Sequence, residues 1–262
     1  MIKGKCKLCL EENVDLLTKS HIIPKFLFED MKDDFNSFVQ IEPNNFIYGR
    51  NQHVKKQRDS FHEKNILCKN CDGIIIKKYE DYLKLTFHST AKPVSRPCCV
   101  NEFKTKEGLT IYNVENIDYT LYKLGFLSIL WRASVSSLPF FKIIDLGPHS
   151  KIIRKMILNG NALEINIYPF ITSLFNRKND TYQVILPIEK IKANGFFNYR
   201  FIINGLDILF MVGSENINLN KDLIDFVPNK TNKLKLIIHK ENYAKEKLEA
   251  IIYKDKKKRP IY

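Results

Sequence analysis

Cys6-Lys-Leu-Cys9 near the start, and Asn65-Ile-Leu-Cys68-Lys-Asn-Cys71-Asp72 further along, decide the reading of this 262-residue chain. The two Cys-x-x-Cys pairs share one spacing. A two-residue gap lets both sulfurs of a pair face one ion, and two pairs complete a tetrahedral shell of four thiolates. A closed shell leaves no open coordination position, so the expected Zn²⁺ is structural rather than catalytic. Two other readings compete: four unlinked buried cysteines, and a redox pair. The repeated spacing argues against the first, and the lack of a βαβ context argues against the second. The adjacent Cys98-Cys99 cannot chelate one ion as spaced knuckles do and reads as core or strand.

Outward from the cysteines, residues 1–90 also hold His21, His53, His62 and His88, four of the six histidines, so chemistry is sought here first. Between the pairs runs Thr18-Lys-Ser-His21-Ile-Ile-Pro24. Phe38–Ile41 and Phe46–Tyr48 read as strands, and Pro24 starts a short helix over Lys25–Met31. From Gly73 the pattern predicts a helix with Ile75, Tyr79, Tyr82 and Leu83 on one face. Asp72 then falls at its N-terminus, as a dipole partner or N-cap. Asn65 reads as a turn residue, and His53 and His62 as exposed loop residues.

The arrangement resembles the zinc-containing HNH (ββα-metal, treble-clef) endonucleases. In that family a Cys-x-x-Cys precedes a strand ending in a histidine followed by apolar residues and proline, and a second Cys-x-x-Cys opens a helix. The resemblance places the general base on His21, a catalytic Mg²⁺ or Mn²⁺ ligand on Asp72, and the family's middle asparagine on Asn65. Ser20 stands where the family places Asp or His. Ile75 and Ile76 stand one turn after Asp72, where it places His or Asn. Glu80, His62 or His53 are the candidates to join Asp72. The chain also resembles bacterial proteins of unassigned activity that share Ser-His-Ile-Ile-Pro, Cys-Lys-Asn-Cys-Asp, and segments like Leu130-Trp-Arg-Ala-Ser134 and Leu146-Gly-Pro148. An imidazole of ordinary pKa, about 6.5, can take a proton at neutral pH, and a carboxylate oxygen suits a hard ion.

No apolar run approaches the roughly 20 residues that cross a bilayer, and the first residues carry no apolar signal-peptide core. The expectation is a cytoplasmic protein with no membrane partner. The net charge is +13. Residues 1–90 carry 15 Lys and Arg against 13 Asp and Glu, leaving 27 against 16 for residues 91–262. The excess therefore lies in the C-terminal part and peaks at Lys256, Lys257, Lys258 and Arg259, the expected nucleic-acid contact, unless they are a solvated tail.

The fold class expected is α+β. A treble-clef zinc module (1–90) is followed by a linker around Ala91-Lys-Pro-Val-Ser-Arg-Pro97 (91–104) and an α+β domain (105–262). The last should hold a helical pair, Asp118–Ser136 and Ser150–Asn159, against an antiparallel sheet. Its strands are Leu109–Tyr112, Tyr182–Leu186, Phe196–Ile203, Leu206–Val212 and Leu234–His239, with a closing helix Glu241–Tyr253. No catalytic signature occurs there; Trp131-Arg132 reads as core plus an arginine seeking a partner.

Three functions follow. The first is an HNH-like nuclease acting on nucleic acid, DNA before RNA, of a shape that the resemblance links to bacterial defence. The second is a treble-clef module that binds nucleic acid or a protein without cutting. The third places the main role, such as ligand sensing, in the C-terminal domain, which could also dimerise or bind a protein partner.

Overall fold

In the computed structural model, residues 2–31, 38–41, 54–57, 60–87, 98–176, 183–193, 195–213, 217–243, 245–247 and 249–250 are described. The chain opens on a hairpin in which Ile2–Gly4 (β1) pairs antiparallel with Val14–Leu16 (β2). Cys6 and Cys9 sit in the connection. Ser20–His21 (β3) follows, and after Pro24 the expected helix is a 3-10 element, Lys25–Met31. Phe38–Ile41 (β4) pairs with Val54–Gln57 (β5). His62–Glu63 (β6) returns to β3 in the register Ser20↔Glu63, His21↔His62. Phe46–Tyr48, His53 and His88 lie outside the described residues.

The second cysteine pair opens a helix earlier than the sequence predicts. Residues 69 and 70 are already helical, Cys71–Ile76 form a π-helical turn, and Lys77–Phe87 (α1) continue as α-helix. Asp72 is thus inside the first turn, its N–H bonded to the Cys68 carbonyl at 3.0 Å, and does not cap the helix. Ile76, Tyr79, Tyr82 and Leu83 are the buried face.

The C-terminal part is built on a seven-stranded sheet. In chain order its elements are Cys99–Lys104 (β7), Thr110–Glu115 (β8), Tyr119–Val135 (α2), His149–Asn159 (α3), Phe170–Phe175 (β9), Glu189–Ala193 (β10), Phe196–Ile203 (β11), Leu206–Val212 (β12) and Lys233–His239 (β13). The strand order is β10-β11-β12-β9-β13-β8-β7. The expected antiparallel sheet is in fact mixed, because β13 runs parallel to β9. Residues 99–104, expected as linker, form the edge strand β7; residues 91–97 lie outside the described residues. Within Tyr182–Leu186 the described residues make one bridge, Ile185↔Ile203, and no strand. The β11–β12 turn is as expected: Asn204 and Gly205 both take positive φ, 49° and 74°, which a tight hairpin of this twist requires. Of the closing helix, residues 243, 245–247 and 249–250 are helical. Everything from 251 on, including Lys256–Arg259, lies outside the described residues.

α2 is the spine. The Asp118 side chain caps it through the Leu121 N–H at 2.8 Å, and residues from Tyr122 to Ala133 are buried on every side. A helix apolar all round belongs in an interior. One side meets the sheet, where the Tyr122 hydroxyl bonds the Thr172 hydroxyl at 2.9 Å and Phe126 lies 5.2 Å from Phe170. The other side meets α1 so closely that a Cβ on Gly125 would come within 2.8 Å of Leu83. α3 completes the layer, ends at Gly160 with φ 68°, and receives the Tyr79 hydroxyl on its Ile157 carbonyl. One core runs from Cys6 to Leu236, through the zinc-type module and the sheet domain alike.

The sheet face away from α2 carries a polar network. Ser173 on β9 bonds His239 on β13 at 2.8 Å, and Asp207 on β12, buried, is clasped by Arg200 on β11. Tyr243 stacks on the His239 ring at 3.7 Å and also touches Arg200.

Candidate functional site

The sulfurs of Cys6, Cys9, Cys68 and Cys71 all lie within 4.8 Å of one another. The β1–β2 connection supplies the first two, and the start of the helix ahead of α1 supplies the others. Three of the four residues are buried, and the Cys68 N–H points to the Cys6 sulfur at 3.4 Å. This donor set fits a tetrahedral ion such as zinc.

The thiols oppose one another electrostatically. A hydrogen bond from Cys71 pulls Cys6 down to about 4 against the opposing effect of burial. Burial pushes Cys9 up to about 11, and the Cys6 hydrogen bond, with burial, drives Cys71 well above the ordinary thiol range. Four sulfurs this close cannot all ionise without a cation among them, and a bound dication removes that conflict.

Beside the cluster lies a ribbon of two residue pairs, β3 and β6, braced by Arg132 of α2 and by the segment just past the end of that helix. Arg132, 1 % exposed, donates from Nη1 to the His21 carbonyl at 2.6 Å and to Glu80 Oε1 on α1 at 2.6 Å. Its Nε bonds the Ser128 carbonyl one turn back. Glu63, the partner of Ser20 in the ribbon, accepts from the hydroxyls of Ser136 and Ser137 and from the Ser137 N–H, just past the end of α2. Burial works against this carboxylate, but those bonds hold it below the usual carboxylate range.

His62 is a half-buried strand residue and not the exposed loop residue expected; its Nδ1 bonds the Ser60 carbonyl at 2.9 Å. As direct cross-strand partners, His21 and His62 share one face of the ribbon, and their ring centroids lie 6.3 Å apart, edge to face. Phe61 between them in the chain stacks on Phe140 at 4.5 Å, fixing the ribbon from below.

Ser20 faces the other way, is fully buried, and lies beside Asp72 without a hydrogen bond of standard geometry. Burial raises the Asp72 carboxyl above its usual range; Arg132 opposes that, and Glu80 reinforces it. The π-helical turn contributes here. Its Lys77 N–H reaches back five residues to the Asp72 carbonyl, so the chain rotates less per residue than in an α-helix. Asp72 and Glu80, eight positions apart, therefore both come under Arg132.

Of the residues singled out by sequence, the four cysteines converge, and Asp72 meets Glu80, one of its three named candidates. His21 pairs with His62, another of them. Asn65 adopts φ 61° in the turn after β6, with its N–H on the Leu17 carbonyl. Among the described residues, the four cysteines are the one group of three or more His, Cys, Asp or Glu close enough to hold a metal ion. Arg132 was missed as part of the site, as were Ser136 and Ser137. The available signal was an arginine inside a largely apolar helix, which must find a buried partner. Among the described residues no helix is long and apolar enough to cross a membrane. No protein-family model matches this chain, and neither a curated protein nor a solved structure matches it.

Proposed function

We propose that this chain is a nuclease of HNH-like, treble-clef build, in which a structural zinc on Cys6, Cys9, Cys68 and Cys71 holds the frame and His21 handles the proton during phosphodiester cleavage. One observation carries the reading: His21 is half-buried on a ribbon whose backbone is clamped by Arg132 and whose far strand is clamped through Glu63. A base gains from being held in place before substrate arrives. Zinc in a closed thiolate shell supplies folding energy, about 10–16 kcal/mol of apparent binding.

The hard divalent ion that the resemblance brings with it does not fit these residues. Asp72 is turned to Ser20 and Arg132, and Glu80 is bonded to the same guanidinium. A dication placed there would sit against a buried positive charge. The chemistry that the chain's own groups support is imidazole chemistry.

A second reading, a binding module without chemistry, is favoured by the same buried arginine, which gives Asp72 and Glu80 a structural task. Supercoiled plasmid and a structured RNA, incubated with Mg²⁺ or Mn²⁺, separate the two. Cutting by the wild type and not by His21→Ala of equal zinc content supports the nuclease. Binding without cutting by either protein supports the module.

A further inference from the structure

The seven-stranded sheet ends in two edge strands, β10 and β7. An edge offers unpaired backbone groups to any strand that fits, and proteins guard it with lysines or a covering element. β10 is guarded against its own copy. A two-fold axis on any of residues 190 to 192 of Glu189-Lys-Ile-Lys-Ala193 would set lysine against lysine. β7, Cys99-Val-Asn-Glu-Phe-Lys104, differs: all six residues are exposed, Val100 and Phe103 by 42 % and 36 %.

The ladder to β8 fixes which backbone groups β7 has to offer. Thr105 donates its N–H to the Leu109 carbonyl at 2.8 Å, one position beyond the pair Lys104↔Thr110. Hydrogen-bonded and non-hydrogen-bonded pairs alternate along antiparallel strands. Cys99, Asn101 and Phe103 therefore turn their N–H and C=O groups to β8, while Val100, Glu102 and Lys104 turn theirs to the open edge. A copy added antiparallel must set even-numbered residues against even-numbered ones, so the axis passes through a residue. At Glu102 it would oppose two carboxylates, and at Lys104 two ammonium groups. At Asn101 it would leave Glu102 facing Val100. At Phe103 it sets Glu102 against Lys104 twice over. Phe103 then meets its own copy in the closer kind of pair, with Cα atoms about 4.5 Å apart, where two rings pack well.

We propose that β7 is the docking surface for a second copy of this chain, paired antiparallel about a two-fold axis at Phe103. The two sheets then run on as one. Glu102 and Lys104 of each copy exchange backbone hydrogen bonds, and their side chains form the ion pairs. The contact is self-complementary and closes at two copies. Positions 101 to 105 are all that overlap, short of the roughly 1,600 Å² of a standard interface, so the dimer is weak and forms as concentration rises. It is independent of the nuclease reading, and its test reads no activity.

The test is sedimentation equilibrium of the zinc-loaded full-length chain over about 10–500 µM, a range that reports weak association. The wild type should move towards twice the monomer mass. Glu102→Lys and Lys104→Glu each place like charges opposite one another at both pairs, and each should weaken association about tenfold or more. The double variant Glu102→Lys with Lys104→Glu restores the opposite charges and should return association to within about twofold of the wild type. Circular dichroism checks that each variant is folded. A covalent readout needs no change of charge: in a Cys99→Ser background with zinc bound, Phe103→Cys should cross-link to its own copy on mild oxidation, and Asn101→Cys should not. A wild type that stays monomeric throughout overturns the dimer. So does association that the single swaps leave intact or the double swap fails to restore, and so does cross-linking through position 101 in place of 103.

Discussion

Arg132 is the residue on which the two halves of the chain agree. It pairs with Glu80, faces Asp72 and bonds the His21 carbonyl, all while nearly excluded from water. Removing one partner of a buried ion pair leaves the other uncompensated, a loss of about 3–5 kcal/mol. Arg132→Met should therefore lower the urea midpoint sharply, while the double variant with Glu80→Gln should recover part of the loss. An unchanged midpoint for Arg132→Met would show the network to be idle. Lysine is no substitute, since a single ammonium cannot reproduce the fork that serves the Ser128 and His21 carbonyls and Glu80 together. The cysteines were legible because spacing alone encodes their geometry. Arg132 was not, because its partners lie 52 and 111 positions away and only packing brings them together.

At the scale of elements, the sequence reveals those with a long apolar run or a clear apolar face and misses those without. α2, α3, β11, β12 and β13 lie within a residue or two of their expected bounds. β9 is only six residues long and carries Thr172 and Ser173 in its middle, so its apolar run is broken and shows neither length nor alternation. β7 is exposed along its whole length and β10 is a charged edge strand, so burial leaves little imprint on either. Close contact between α1 and α2 yields a second prediction. Gly125→Ala gains about 1 kcal/mol of helix propensity but forces Leu83 aside, and overpacking of this kind costs about 1–3 kcal/mol. The crowding should win, and the variant should unfold at lower urea than the wild type.

The network behind the sheet adds a pH dependence. Burial is the main reason the His239 ring is held down at about 4, against an ordinary value of 6.5. The unfolded chain thus takes up a proton below pH 6.5 that the folded chain refuses until about pH 4. This contribution to stability is complete above 6.5 and is lost as the pH falls from 6.5 towards 4, by up to about 3 kcal/mol. Urea unfolding of wild type and His239→Gln across that window should show the slope in the first and a shallower one in the second.

For the whole molecule, the continuous core means that zinc-type module and sheet domain have little independence. Lys7 bonds the Val135 carbonyl at the end of α2, and Arg154 on α3 bonds the Leu8 carbonyl inside the first knuckle. The binding energy of a structural zinc, about 10–16 kcal/mol, matches or exceeds the whole stability of an ordinary domain, about 5–15 kcal/mol. Stripping the metal should accordingly expose not only α1 but the α1-facing side of α2. Amide exchange followed after adding a zinc chelator should show protection falling in both helices together; loss confined to residues before 90 would mean that the sheet domain stands alone.

The place of β13 has a consequence for how the protein is made. It is the last of the seven strands to leave the ribosome, yet it lies between β9 and β8. Until it emerges, the nascent chain can hold only two separate half-sheets, β7–β8 and β9 to β12, each with an open edge. At about 5–20 residues per second, the stretch from β9 to the end of β13 takes several seconds to synthesise. During that interval β8 and β9 are each other's nearest wrong partner, and the arrival of a single late strand both separates and joins them.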